Sequence, residues 1–267
     1  RVGVSARLAK TAAAALGDFG HALESVSGRR DQAQSRQLAR AAVDWTRNVL
    51  AEDFRTSATD HRGEIWAVKV PPTPLTADPA DGTVGGEIVD LSGRFNLNDL
   101  APEGQPDRDA HARLQRLLEV LGDSPEDARR ASLALGAWIS ASSSGTDGAP
   151  RAALLALDEL SLLPGFDTAR IARLAPFLTT VPAPSRINVN TAPAEVLAAI
   201  VPGLGLDAAR MLVAERERAW FRDLADFGER LPDGATLPDL RLVDVRSRYF
   251  HVTIHASYGV ALTRLEA

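Results

Sequence analysis

INVNTAPAEVLAAI, residues 187–200, carries two periodicities in one stretch. Ile187 and Val189 alternate with Asn188 and Asn190, the pattern of extended chain with one side against a core. Val196, Leu197 and Ile200 then recur at helical spacing. Asparagine amides suit bonds to nearby backbone, and Thr191 stands where a hydroxyl caps the following helix. A shorter relative, RFNLNDL at 94–100, repeats the device with Phe95, Leu97, Asn96 and Asn98, and Asp99 as the capping candidate. Extended chain hands over to helix twice through Asn-x-Asn, which reads as a structural joint.

Downstream, LAAIVPGLGLDAARMLVAERERAWFRDLADF has a helix, a Pro-Gly-x-Gly turn and a second helix. This is the outline of a helix-hairpin-helix, in which turn amides around Gly203 and Gly205 can bind a DNA phosphate. Asp207, Glu215 and Glu217 are interleaved with Arg210, Arg216 and Arg218, so attraction for a polyanion is largely cancelled. A nucleic-acid-binding hairpin is therefore the alternative reading and a packing hairpin the leading one.

The region from 107 to about 230 reads as short helices. Leu114, Leu117, Leu118 and Leu121 form a stripe, Ser124 caps a helix with Pro125 at its first position and Ala131, Leu135 and Trp138 inward, and Asp167 caps another carrying Ile171, Leu174 and Phe177. Outside it the chain changes character. Leu16, Phe19, Leu23 and Val26, then Leu38, Ala42, Trp45 and Val49, place apolar residues on one face of a long helix, frayed near Gly28. EIWAVKV at 64–70 reads as a strand, followed by a loop rich in proline with Gly85-Gly86. GEIVDLSGRFNLN reads as a hairpin turning at Ser92-Gly93. In RYFHVTIHASY, Phe250, Val252, Ile254, Ala256 and Tyr258 alternate with polar positions as in a half-buried strand. The expected fold class is α+β, with the long helix on an antiparallel sheet formed by early and terminal strands. The expected division is 1–96 and 235–267 in the helix-and-sheet part, with 97–234 as an inserted all-α domain.

The 267 residues, 45% hydrophobic and 24% charged, are those of a globular chain. A net charge of -5 works against loose binding to nucleic acid or anionic lipid. Without cysteine there is no disulfide, thiolate metal site or cysteine nucleophile. No run of about 18 apolar residues stands out, the best being TAAAAL at 11–16, so a soluble part is expected. HExxH, GxSxG, GxxxxGK[ST] and strand-borne GxGxxG motifs are absent, and nothing argues for catalysis. His251 and His255 on a strand lie roughly 13 Å apart, too far for one ion. Asp147, with Asp158 and Glu159 beyond it, is the calcium candidate of the SASSSGTDGAP loop, but calcium needs about 6 to 8 oxygens and this loop offers mostly hydroxyls. No cofactor is expected.

Five blocks in order resemble the K-type minor pseudopilins of type II secretion systems, the general secretion pathway protein K family: RRDQAQSRQLARAAVDW (29–45), GRFNLNDL (93–100), DELSLLPGFDTARIARLAPFLTTVP (158–182), INVNTAPAEVLAAI (187–200) and SRYFHVTIHA (247–256). The resemblance implies a pilin-like fold with a large inserted helical domain. It also implies a noncatalytic role at the tip of a periplasmic pseudopilus, in complex with I-type and J-type minor pseudopilins above the rest of the fibre, where such proteins help initiate assembly. A bulky insertion would block further subunits. Leu16, Phe19, Leu23 and Val26 would then face partners. Family members carry a leader and a membrane-spanning segment that are not seen in this sequence, so it is expected to be the periplasmic domain of an inner-membrane-anchored protein, with residues 1 to about 20 of uncertain origin. Some members bind calcium after the Trp-containing helix; the hydroxyl-rich loop of this chain departs from that pattern.

Overall fold

Short polar side chains start four of the helices in the middle of the chain. In the computed structural model Asp107 accepts from Ala110 N, Ser124 Oγ from Asp127 N, Asp167 from Arg170 N and Asp223 from Asp226 N. Each carboxylate or hydroxyl satisfies an amide that its own helix leaves open. The structure describes residues 2–76, 81–143 and 153–267, with side chains over 27–76, 81–140 and 153–267. In chain order the elements are α1 (Val2–Thr56), β1 (Val70–Pro74), β2 (Thr83–Asp90), β3 (Phe95–Asn96), α2 (Arg108–Val120), α3 (Pro125–Ser143), α4 (Thr168–Leu174), β4 (Leu178–Thr179), β5 (Ile187–Asn188), α5 (Ala194–Ile200), α6 (Leu206–Arg216), α7 (Leu224–Glu229), β6 (Val243–Asp244), β7 (Phe250–Tyr258) and β8 (Ala261–Glu266).

They divide into two compact units. Residues 1–53, 68–88 and 251–267 form one, and 54–67 with 89–250 form the other. The boundaries thus fall at 88/89 and 250/251 instead of 96/97 and 234/235. The reason is that β3 and β6 pair with strands of the helical part, so the chain on either side of the helices belongs with them. Residues 54–67, expected in the helix-and-sheet part, also belong to the helical unit.

The first unit is α1 on a four-stranded sheet of order β1-β2-β7-β8. β7 behaves as its alternation predicts: Val252, Ile254 and Ala256 are buried against Ala39 and Val43 of α1, and His255 is exposed. Thr253 is the exception, buried on the other face. Gly86 belongs to β2, not to a loop, and a Cβ there would meet the Thr253 carbonyl at 2.3 Å. α1 runs through Gly28 without a break. Its buried stripe is Ser35, Ala39, Val43 and Thr46, while Trp45 is 61% exposed. These small side chains let the sheet approach closely, and Ser35 Oγ lies 2.7 Å from Thr263 Oγ1 of β8.

The expected strand at 64–70 is instead a turn. Glu64 accepts from His61 N and Trp66 Nε1, folding Ile65–Ala67 into a single 3-10 turn. The strand starts at Val70 and runs through Pro71, Pro72 and Pro74, which the sequence pattern assigns to a loop. It is an edge strand with all five residues exposed, the place where a sheet tolerates residues lacking N–H. The hairpin expected at Ser92-Gly93 is absent too. β2 pairs with β1 and β7, whereas β3 pairs in parallel with β4. Ser92 Oγ accepts from Arg248 N and Tyr249 N, and its carbonyl from Asn188 N, so the chain is led out of the sheet there.

The second unit holds a continuous apolar core in which Leu114, Leu117, Leu118, Leu135, Ile171 and Leu174 take the inward positions their spacing predicts, with Trp138 and Phe177 packed at its margin. α5 is buried almost all round, with Val196, Leu197 and Ile200 at most 2% exposed.

Candidate functional site

The residues expected to face partners, Leu16, Phe19, Leu23 and Val26, lie on α1 but their side chains are outside the described residues. Within the described part of α1 the large apolar side chains turned to solvent are Trp45 and Phe54. Phe54 carries the Arg246 guanidinium 4.3 Å from its ring centroid. Trp45 has no such cover among the described residues, and sequence spacing missed it by assigning it to the buried stripe. An exposed tryptophan on a helix is the kind of anchor that protein interfaces favour.

The helix-hairpin-helix forms as α5, the Val201–Gly205 turn and α6. Its turn is occupied by its own chain. Gly203 adopts φ +78°, and a Cβ there would meet the Gly234 carbonyl at 2.1 Å, while Thr236 N donates to Pro202 O. The Gly234 carbonyl thus closes the Cβ side of Gly203, while the Cβ side of Gly205 is open. Of the interleaved charges, Arg216 is not on the surface. It is 4% exposed, its Nη1 donates to Val189 O at 2.6 Å, and Nε and Nη2 have no protein partner. Burial pulls its pKa down to about 9, which leaves it charged at neutral pH. It is a structural strut beneath β5, unavailable to nucleic acid.

The two Asn-x-Asn seams are where the polar chemistry of this unit gathers. Asn98 Nδ2 donates to the carbonyls of Leu154, Thr180 and Val181, and its Oδ1 accepts from Leu154 N. Asn190 makes a reciprocal pair with the Phe221 backbone, at 2.8 and 2.9 Å. Asn188 Nδ2 reaches Asp60 O and Ser247 Oγ. Neither predicted cap acts as one. Thr191 donates to the buried Asp90 carboxylate, and the residue before α5 is Pro193. Asp99 accepts from Ser185 N and Oγ, while Asn96 caps the Leu97–Leu100 turn. Asp90 also accepts from Ser92 N and Ser247 Oγ. Burial pushes the carboxyls of both Asp90 and Asp99 up, against these hydrogen bonds, which pull down. Apart from Ser92 N, the partners of Asp90 and Ser247 lie far along the chain, so the sequence does not mark them.

Of the calcium candidates, Asp147 lies outside the described residues. Asp158 is exposed, and Glu159 Oε1 accepts from Leu155 N and Ala156 N at the start of the Leu157–Leu162 turn. One of the two described carboxylates is thus engaged with backbone. No helix among the described residues is long and apolar enough to cross a membrane.

Two family models, both described as "Type II secretion system (T2SS), protein K", match residues 93–183 and 187–246. The chain is 34% identical over 236 residues to Type II secretion system protein K of Pseudomonas aeruginosa, covering 79% of this chain and 68% of that protein. Its counterpart in Aeromonas hydrophila is 28% identical over 267 residues, covering 88% of this chain and 80% of that protein. A chain in the crystal structure titled as the GspK-GspI-GspJ complex of the enterotoxigenic Escherichia coli Type 2 Secretion System aligns with TM-score 0.71 at 19% identity, covering 90% of this chain and 92% of that one. The fold is pilin-like, α+β, with the helical unit between β2 and β7.

Proposed function

The chain belongs to the type II secretion system protein K family, and on that premise we propose that it is a noncatalytic minor pseudopilin at the tip of the secretion pseudopilus, where it initiates assembly and closes the growing end. The observation that carries this reading is the division of the chain: a long helix on an antiparallel sheet, the scaffold of a fibre subunit, with the connection between β2 and β7 given over to a second unit larger than the scaffold itself. Subunits of this fold stack through their long helices. A subunit that also carries this second unit is suited to an end position, because the added bulk obstructs the next subunit.

The partners in this reading are I-type and J-type minor pseudopilins, supported by the composition of the Escherichia coli complex. The contact runs along α1, through Leu16, Phe19, Leu23 and Val26 and through Trp45. The protein acts on the periplasmic side, held to the inner membrane by an apolar segment N-terminal to α1. It needs no cofactor, so millimolar calcium leaves its melting temperature unchanged; a rise would assign Asp147, Asp158 or Glu159 a ligand role.

Mixing the chain with soluble I-type and J-type partners at micromolar concentration and measuring mass by light scattering tests the proposal. A ternary complex is expected, weakened by Trp45→Ala without loss of thermal stability. Persistent monomers would count against it.

A further inference from the structure

The run RLVDVRSR at 241–248 places three arginines close together, and the fold adds a fourth. Arg186, Arg241, Arg246 and Arg248 line a hollow of about 400 Å³ whose one carboxylate is Asp244 and whose walls include Tyr249 and Pro184. Such a volume is in the range of ligand-binding pockets.

The charges are not internally balanced. Asp244 lies 3.3 Å from Arg186 Nη1, and Arg241 pairs with Asp239 on the exposed side at 2.7 Å. Arg246 is fixed by its stacking on Phe54 and by donation to the carbonyls of Phe54 and Ser57, which orient its guanidinium but do not neutralise it; its buried Nε has no protein partner. The Arg248 side chain has no ion pair or hydrogen bond among the described residues. Two guanidinium charges are therefore left over, on a chain whose net charge is negative.

We propose that this hollow receives an acidic segment of a protein partner, an Asp or Glu carboxylate held by Arg246 and Arg248 with the side-chain stem against Tyr249 and Pro184. The Arg248 guanidinium can bind a carboxylate through paired N–H donors while Arg246 adds its remaining Nη1, and arginine clusters are a recurring means of recognising acidic motifs. The neighbouring hollow decides between kinds of anion. It shares Pro184, Ser185 and Arg241 with the first and is lined by Asp99, Asp107, Asp109 and Asp239 against Arg113. Asp239, held down to about 2 by Arg241, is ionised throughout the physiological range. A membrane surface or a nucleic acid strand would press its adjacent phosphates onto those aspartates. A peptide can offer one carboxylate followed by neutral or basic residues. This inference stands apart from the fibre reading, since it concerns the second unit alone.

Isothermal titration of the intact chain at low salt, with a Gly-Ser peptide carrying a single glutamate, tests it. Binding is expected, with none for the glutamine version of the peptide. Arg248→Gln should weaken it at least fivefold and Arg248→Glu abolish it, both with unchanged melting temperature because that side chain holds nothing in place. Arg186→Gln, which leaves Asp244 unpaired, should weaken it as well, and competition by millimolar inorganic phosphate would support a guanidinium site. The proposal is overturned if the wild type gives no heat with the acidic peptide, if Arg248→Glu binds it equally, or if vesicles of anionic phospholipid bind in preference to it.

Discussion

The two Asn-x-Asn seams start alike and end differently. In each, the first asparagine's Oδ1 accepts from the backbone N of the second, at 3.2 Å for Asn96 and 2.8 Å for Asn188. Each follows a two-residue strand paired in parallel, β3 with β4 and β5 with β6. Each has a partly buried aspartate nearby. Yet at the first seam one amide, Asn98, holds three separate carbonyls while Asn96 Nδ2 has no protein partner. At the second the bonds are shared between Asn188 and Asn190. The same local motif thus becomes a single rivet in one place and a distributed stitch in the other, because the surrounding chain offers carbonyls at different positions.

The comparison can be broken most severely at the rivet. Asn98→Ala leaves the Leu154 amide, the buried carbonyls of Leu154 and Val181 and the part-buried carbonyl of Thr180 without this partner, and should cost about 4 kcal/mol in urea denaturation. Asn188→Ala removes bonds to Asp60 O, Ser247 Oγ and Asn190 N, with an expected loss of about 3 kcal/mol by the same measurement. Equal losses at all four asparagines would refute the distinction between the seams.

The aspartates sharpen it through pH. A carboxyl whose pKa is raised by folding holds its proton more tightly in the folded chain, so its contribution is complete below the ordinary carboxylate range and is lost as pH rises through the raised value. Asp90→Asn should flatten that decline, which for one such group has a slope of up to about 1.4 kcal/mol per pH unit. Urea midpoints from pH 4 upward decide the matter; parallel profiles for wild type and variant would remove Asp90 from the account. The smallest effect is expected at Asn96→Ala, within about 1 kcal/mol, since one accepted bond is lost and an unpartnered donor goes with it.

Legibility followed range along the chain. Helix starts at Ser124 and Asp167 were readable because cap and amide are three residues apart. The β7 strand was readable from its alternation, and the seams were recognisable as joints. Thr191 and Asp99 were misread as caps because hydroxyl and carboxylate had better partners 101 and 86 residues away, at Asp90 and Ser185. Trp45 was misread because helical spacing cannot separate stripes one residue apart when small and large apolar side chains alternate. The arginine hollow left a signal, RLVDVRSR, but Arg186 joins it only through the pairing of β5 with β6.

By itself the sequence determined what short-range physics controls: the α+β class, the long helix, the capped helices of the inserted part, and a net charge unfavourable to polyanions. Its ordered blocks also pointed to the family. Only the tertiary structure decided which strands pair, where the second unit begins, which face of α1 is covered, and that Gly203 is closed by Gly234. Those outcomes depend on which distant groups arrive to satisfy a buried donor or fill a space, and a backbone amide or a glycine reads the same in sequence whatever meets it.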